Sequence, residues 1–148
     1  MSLLMLIVTS CVRGKIYEQY IKMEKLSWNR FNVLKFDVDI KDISTGYDFV
    51  VAIRHLPEVP YQKIPVNFSF DTPSGESRSL DYDIILKDKE GNNLGNCMGD
   101  LCDVYTTVKE DYLFTEPGIC HVELHNIMVK LETPGIIEVG LIVRKHRD

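Results

Sequence analysis

The 148-residue sequence lacks most of the features that would reveal an activity directly. The apolar run at residues 3–8 is far shorter than the roughly 20 residues that a membrane-spanning helix needs. Acidic residues outnumber basic ones, 22 to 17, and the net charge of −5 leaves no basic stripe for binding nucleic acid. There is no Ser-His-Asp signature, glycine-rich phosphate loop or Cys-His nucleophile pair. We therefore expect no enzyme activity, no cofactor and no nucleic-acid partner.

What remains is typical of one soluble β-rich domain. Hydrophobic residues make up 45% and charged residues 26% of the chain. No long stretch repeats apolar residues with the 3.6-residue period of a helix, whereas turn signals recur every 8–12 residues or so. The sequence therefore predicts an all-β fold, an antiparallel β-sandwich or jelly roll in a single domain.

Three stretches carry the clearest strand patterns. Phe36, Val38 and Ile40 alternate with polar residues, which predicts a strand with one face buried. Residues 47–56 have apolar side chains on both faces, which predicts a central strand covered on both sides. Residues 137–143 predict a final strand.

Residues 79–99 predict a β-hairpin. The apolar face of its first strand is Leu80, Tyr82, Ile84 and Leu86. The polar residues 87–93, with Gly91 free to adopt a positive φ, form the predicted turn. A short return strand is expected from Leu94.

The N-terminal end resembles a lipoprotein signal. An apolar run at residues 3–8 is followed by Thr9-Ser10-Cys11, as in the bacterial lipobox. On this interpretation residues 1–10 are part of a signal peptide and Cys11 carries the lipid, since several acyl chains anchor a protein stably. Residues 11–25 then form a tether and residues 26–148 the β-sandwich domain. The alternative is a buried first strand with Cys11 as a core thiol.

The order of these features resembles the gliding-motility lipoprotein GldH family of Bacteroidota. The matching features, in chain order, are Cys11, Trp28, Tyr47…Arg54, Tyr61, Phe70–Gly75, Leu80–Ile84, Asp88…Gly95, Pro117-Gly118, Met128 and Ile137–Leu141. Val129 stands where the family usually has a basic residue. The resemblance implies an outer-membrane lipoprotein with a non-enzymatic, structural role in the gliding and type IX secretion machinery. Its expected partners are the membrane, through the lipid anchor, and other envelope lipoproteins. The absence of acidic residues directly after Cys11 favours the periplasmic face.

The remaining cysteines raise the question of a disulfide or a metal. In an oxidising periplasm we expect a Cys97–Cys102 disulfide, although three reduced thiols remain an alternative. Cys120, His121 and His125 are the residue types that bind zinc. Two histidines four apart on a strand are separated by about 13 Å, however, so no metal site is predicted.

Three further residues are candidates for binding or for structural roles: Trp28, Arg54 and Tyr61. Arg54 is expected either buried against a carboxylate or exposed on its strand. Trp28 and Tyr61, with other tyrosines, form either an aromatic ledge for sugar or peptide, or parts of the core and its rim. An envelope-anchored carbohydrate-binding jelly roll is therefore the alternative function. Exposed aromatics clustered in one groove, with Asp, Asn and Arg between them, would favour sugar, and a flat apolar patch without a groove would favour assembly.

Overall fold

A computed structural model describes residues 14–147 of the chain. Within that range it contains eleven strands and one short 3₁₀ turn at Glu24–Leu26. The strands are β1 Lys15–Lys22, β2 Ser27–Asn29, β3 Leu34–Ile40, β4 Tyr47–His55, β5 Lys63–Asp71, β6 Ser77–Ile85, β7 Asn96–Met98, β8 Leu101–Tyr112, β9 Gly118–Asn126, β10 Glu132–Pro134 and β11 Ile136–Lys145. No helix in this part of the chain is long and apolar enough to cross a membrane.

The strands form two main antiparallel sheets. The larger has five strands in the order β1-β11-β4-β8-β7, and the smaller has four in the order β3-β9-β5-β6. A two-stranded ladder of β2 and β10 lies beside them. The buried apolar side chains on the facing sides of the two main sheets belong to one cluster. The predicted all-β sandwich is therefore confirmed.

The core lies between the two sheets and is centred on β4. Phe49 stacks on Phe70 of the opposite sheet with ring centroids 5.2 Å apart, and its ring also lies 5.5 Å from that of Phe68. On the other face of β4, Val50 and Ala52 are only 3% and 4% exposed. The prediction of a central strand with both faces covered is confirmed.

The predicted hairpin at residues 79–99 is wrong in its pairing. β6 pairs along its length with the preceding strand β5, and it forms the edge of the smaller sheet. The turn at residues 87–93 closes only an isolated bridge between Lys87 and Asn93, after which the chain crosses to β7 in the other sheet. Tyr82, predicted to face the core, is 37% exposed. Alternation predicts a strand but does not say which neighbour it pairs with, and an edge strand is only partly covered.

The larger sheet begins before the predicted domain boundary at residue 26. β1 occupies Lys15–Lys22, inside the stretch assigned to the tether, and pairs with the last strand, β11. It is an edge strand with only Tyr17 and Ile21 packed against the core, so its sequence lacks a clean alternation. The predicted signal peptide and Cys11 lie outside the described residues.

Candidate functional site

Two adjacent loops at one end of the sandwich carry several exposed apolar side chains. One joins β2 to β3 and the other joins β9 to β10. We call this surface the apolar tip; its members and exposed fractions are Phe31 80%, Ile127 36%, Val129 93% and Leu131 50%. Single exposed apolar residues are ordinary, but four of them on two adjoining loops are a candidate contact site.

Backbone contacts join the two loops into one surface. The amide of Arg30 donates to the carbonyl of Leu131 at 2.9 Å. The Arg30 guanidinium donates to the carbonyl of Val129 at 3.2 Å. The amide of Ile127 donates to the carbonyl of Pro65 in β5 at 3.1 Å. The tip is therefore held to the sheets as well as between its loops.

A buried hydrogen-bond network beneath the tip fixes where its loops begin. Asn126, only 2% exposed, donates to the carbonyl of Trp28 at 3.1 Å and to the hydroxyl of Thr133 at 2.9 Å. Its own carbonyl accepts from the amide of Met128 at 3.0 Å. Trp28 is fully buried and donates from its indole to the carbonyl of Asn32 at 3.0 Å. Trp28 therefore supports the tip from inside, and its ring is not available to a ligand.

A shallow groove of about 510 Å³ lies beside the tip. Its apolar lining consists of Pro60, Tyr61, Pro65 and Met128 together with Ile127 and Val129 of the tip. The hydroxyl of Tyr61 donates to the carbonyl of Pro134, and burial raises the pKa of that hydroxyl to about 12. Tyr61 thus ties the proline-rich connection after β4 to β10 and also forms a wall of the groove.

The tip carries unpaired positive charge. Arg30 and Lys130 alternate with the apolar members of the tip along the chain. Neither has an acidic partner within 4.0 Å among residues 14–147, whereas nearby Lys63 is paired with Asp83 at 2.9 Å. A partner surface with an apolar centre and an acidic border would complement this charge.

The tip lies at the opposite end of the sandwich from the start of β1. Lys15, at the start of β1, pairs with Arg144 near the end of β11, while Lys22 pairs with Glu138 at its beginning. β1 therefore runs toward the end where β2, β10 and the tip are located. Eight strand residues span about 25 Å, so the tip is well separated from the point where the preceding chain joins the domain.

Arg54 lies on the outer face of the larger sheet, paired but not buried. Its guanidinium makes two hydrogen bonds to Asp103, at 2.8 and 3.1 Å, and approaches Glu138 to 3.9 Å. The sequence predicted Arg54 either buried against a carboxylate or exposed on its strand. The structure combines the two: Arg54 has a carboxylate partner, and its side chain is 40% exposed. The hydrogen bonds that Arg54 donates to Asp103 raise the pKa of Arg54, which stays charged.

A second polar cluster joins the residue after β11 to strands β4 and β8, and we call it the C-terminal lock. His146 Nδ1 lies 2.8 Å from Asp48 and 4.0 Å from Glu110, and one ligand atom from each of the three falls within a 4.8 Å group that could hold a metal ion. The carboxylate of Asp48 already accepts from the amide of Asp111 and lies 3.5 Å from Arg144. Because Asp48 is occupied by these donors and has a cationic neighbour, the cluster is better suited to a structural lock than to a cation.

The same contacts perturb the two titrating groups of this lock. Burial alone would raise the pKa of Asp48, but hydrogen bonds from Asp111, His146 and Arg144 outweigh it and lower that pKa. The hydrogen bond to Asp48 raises the pKa of His146. Each group therefore stabilises the charged form of the other.

The structure contains a disulfide between Cys97 and Cys102, which face each other on β7 and β8 with Cα atoms 4.0 Å apart. Cys120 is a free, fully buried thiol whose pKa burial raises to about 12. The neighbouring His121 points to the opposite face of β9 and contacts Asp37 at 2.6 Å. The structure thus does not bring Cys120 and His121 together as metal ligands.

Comparison with known proteins identifies the family. The model of the GldH lipoprotein family matches residues 15–143, which include all of β1 to β10 and most of β11. The chain belongs to the GldH lipoprotein family. This confirms the resemblance and supports a lipid-anchored protein of the cell envelope.

Two relatives extend over most of the chain. A gliding motility lipoprotein GldH homolog of Christiangramia forsetii is 25% identical over 149 residues, covering 95% of this chain and 90% of that protein. The gliding motility lipoprotein GldH of Flavobacterium johnsoniae is 22% identical over 118 residues, covering 80% of this chain and 74% of that protein. A solved structure of infectious bursal disease virus, Gx strain, aligns with 90% of this chain at a TM-score of 0.30 and 10% identity. The chain spans only 30% of that protein, and we base no argument on this likeness.

Sequence reasoning missed the apolar tip. Phe31 and Val129 belong to no periodic pattern, and Val129 stood out only because the family usually has a basic residue there. The available signal was an apolar side chain next to a basic one in a turn, at Arg30-Phe31 and at Val129-Lys130-Leu131. That signal alone does not reveal that the two loops touch.

Proposed function

We propose that this GldH-family protein is an outer-membrane-anchored, non-enzymatic assembly component of the gliding-motility or type IX secretion-linked envelope machinery. Its anchor is a lipid on Cys11, and the domain lies on the periplasmic face. It acts by binding another envelope lipoprotein through the apolar tip. The family membership supports the envelope setting, and the tip is the observation that carries the proposed mode of action.

The tip has the chemistry of a protein contact. Fully burying a side chain such as Phe31, Val129 or Leu131 is worth about 1.5–3 kcal/mol each, which favours association if the partner excludes water. The adjacent groove beside Tyr61 extends the apolar area. Arg30 and Lys130 favour a partner with acidic residues around an apolar centre.

The position of the tip also fits an anchored assembly subunit. If the chain before Lys15 leads to the membrane, the tip is directed away from the attachment point, because it lies at the far end of β1. A partner could then bind without competing with the lipid for space.

Two groups of acidic residues, the pair on β6 and the cluster around Asp48, fit a role without catalysis. Asp81 and Asp83 lie on exposed positions of β6 and are engaged by Asn67 and Lys63 respectively. Asp48, in the one described cluster that could hold a metal ion, is already occupied by hydrogen-bond donors. Neither arrangement resembles a pair of free carboxylates facing each other across a cleft, which hydrolysis of glycosides would need.

The proposal is tested by affinity capture from native membranes, using the full chain with its natural signal. The variant Phe31→Ser/Val129→Ser removes exposed apolar groups from the tip. Its matched control, Tyr82→Ser/Ile85→Ser, removes exposed apolar groups, which are 37% and 43% exposed, from the edge strand β6. We expect the wild type and the control to recover the same gliding or secretion lipoproteins, and the tip variant to recover at least tenfold less of them.

Two results would count against the proposal. Equal recovery by the tip variant would show that the tip is not the contact. Retention of a Cys11→Ala variant in the outer membrane would show that Cys11 does not provide the anchor.

A further inference from the structure

A notch on the outer face of the larger sheet results from the sizes of four side chains in one cross-strand row. Tyr20 on β1 pairs with Gly140 on β11, Gly140 pairs with Ala52 on β4, and Ala52 pairs with Tyr105 on β8. Two large residues thus flank the two smallest ones. The ring of Tyr20 covers Gly140, so the floor of the notch is Ala52, and its walls are the two tyrosine rings.

Both walls are exposed, and contacts hold the ring of Tyr20 in place. Tyr20 is 40% exposed and Tyr105 is 59% exposed. The ring of Tyr20 leans over Gly140, since a Cβ at position 140 would lie 2.4 Å from its Cδ1 atom. The Tyr20 hydroxyl donates to Glu18 at 3.0 Å, which also restrains the ring. Tyr20 is therefore already ordered before a ligand binds, and Tyr105 offers the more exposed ring.

The next cross-strand row closes one end of the notch with charged groups. Glu138, Arg54 and Asp103 are consecutive partners across β11, β4 and β8. The Arg54 guanidinium is committed to Asp103 through two hydrogen bonds, and Glu138 lies 3.9 Å away on its other side. The carboxylates keep further lone pairs that can accept hydrogen bonds from a ligand.

The cavity between these groups has a volume of about 210 Å³. This is smaller than the roughly 300–1,000 Å³ of sites that take drug-sized ligands, and it suits a single ring. All the groups described here, Tyr20, Tyr105, Arg54, Asp103 and Glu138, contribute to its lining.

We propose that this notch binds one ring of a neutral carbohydrate. A pyranose has an apolar C–H face that can lie on a tyrosine ring, and hydroxyl groups at its edge that donate to carboxylates. Arg54 fixes Asp103 in position and can donate to a ring hydroxyl. Two carboxylates around one guanidinium leave the row with a net negative charge, which disfavours an anionic ligand.

The inference is independent of the apolar tip. The notch lies on the outer face of the larger sheet, and the tip is formed by the loops at one end of the sandwich. A substitution in the notch can therefore abolish sugar binding and leave partner binding at the tip intact, and the reverse also holds. The two proposals can fail separately.

The test is a titration of the ¹⁵N-labelled domain, followed by amide chemical shifts, with maltose, cellobiose and N,N′-diacetylchitobiose. Glucuronic acid serves as the anionic comparison. We expect at least one neutral saccharide to shift amides of the notch, such as those of Ala52, Tyr105 and Gly140, at millimolar concentration. Glucuronic acid should bind more weakly.

Two variants and a control complete the test. Tyr105→Ala removes an exposed wall and should weaken binding at least tenfold, and Ala52→Leu should block the floor. Tyr82→Ala, which removes an exposed tyrosine from the other sheet, should leave binding unchanged. The proposal is overturned if none of the three saccharides shifts the notch amides, if Tyr105→Ala binds as well as the wild type, or if glucuronic acid binds best.

Discussion

Asn126 gives the sharpest test of how the fold supports the apolar tip. The substitution Asn126→Ala removes the amide that bridges β2, β10 and the loop after β9. The carbonyl of Trp28, the hydroxyl of the fully buried Thr133 and the amide of Met128 each lose a hydrogen-bond partner. Water has little access to replace it, since Asn126 itself is 2% exposed.

The expected loss of stability follows from these contacts. A buried polar group left without a partner costs about 1–3 kcal/mol. Allowing for partial relaxation of the less buried Met128 amide, we expect the free energy of unfolding to fall by about 2–5 kcal/mol. That is a large part of the total of about 5–15 kcal/mol for a typical domain.

The assay is urea denaturation of the folded domain, followed by tryptophan fluorescence. Trp28 is the only tryptophan of the chain and is fully buried, so it reports on the region that the substitution perturbs. The midpoint should fall by about 1–3 M urea at typical slopes. Asn67→Ala is the matched control, because Asn67 makes its side-chain hydrogen bonds, to Ser79 and Asp81, at the surface of β5, and the substitution should cost less than about 1 kcal/mol.

A second measurement follows the tip itself. Amide hydrogen exchange at Met128 should accelerate in Asn126→Ala, because its acceptor is gone, and should not change in Asn67→Ala. The reasoning is refuted if Asn126→Ala and Asn67→Ala differ by less than about 1 kcal/mol and exchange at Met128 is unaltered.

Three further predictions concern the cysteines and the C-terminal lock. Replacing Cys97 and Cys102 by Ala should lower the free energy of unfolding by about 2 kcal/mol, since the bridge closes a short loop; an unchanged urea midpoint would contradict this. The Cys120 thiol should resist iodoacetamide at pH 8 in the folded protein and react once it unfolds, because burial raises its pKa to about 12. Because Asp48 raises the pKa of His146, the stabilisation by that pair should be complete below pH of about 6.5 and lost as pH rises through the folded-state pKa. Unfolding curves of wild type and His146→Gln should thus differ most at mildly acidic pH, and a difference that grows toward pH 9 would contradict the assignment.

Periodic patterns predicted the parts of the fold that are covered evenly. β4 is buried on both faces because it is the central strand of the larger sheet. β3 lies at an edge of the smaller sheet, but one whole face of it packs on the core, so its buried and exposed residues alternate strictly. β1 was missed because only Tyr17 and Ile21 pack against the core and most of its other residues are exposed and polar. The pairing of β6 was wrong because period-2 alternation contains no information about the neighbouring strand.

The tip and the notch could not be predicted from the sequence either, because each depends on how distant strands pair. The tip joins residues about a hundred positions apart, such as Arg30 and Val129, and only the pairing of β2 with β10 brings them together. The notch depends on the register of four strands, which places Gly140 and Ala52 between two tyrosines. The sequence suggested a carboxylate as one possible partner of Arg54. Only the register between β4 and β8 shows that this carboxylate belongs to Asp103.

The central claim is that the apolar tip contacts an envelope lipoprotein of the motility or secretion machinery. The most direct measurement places a photo-crosslinking residue at Val129, which is 93% exposed, or at Tyr82 as a control, in the protein in native membranes. We predict a single adduct from position 129 whose partner is identified by mass spectrometry as such a lipoprotein, is lost when Phe31→Ser is added, and is absent from position 82. Adducts of the same kind from both positions, or none from position 129, would contradict the account.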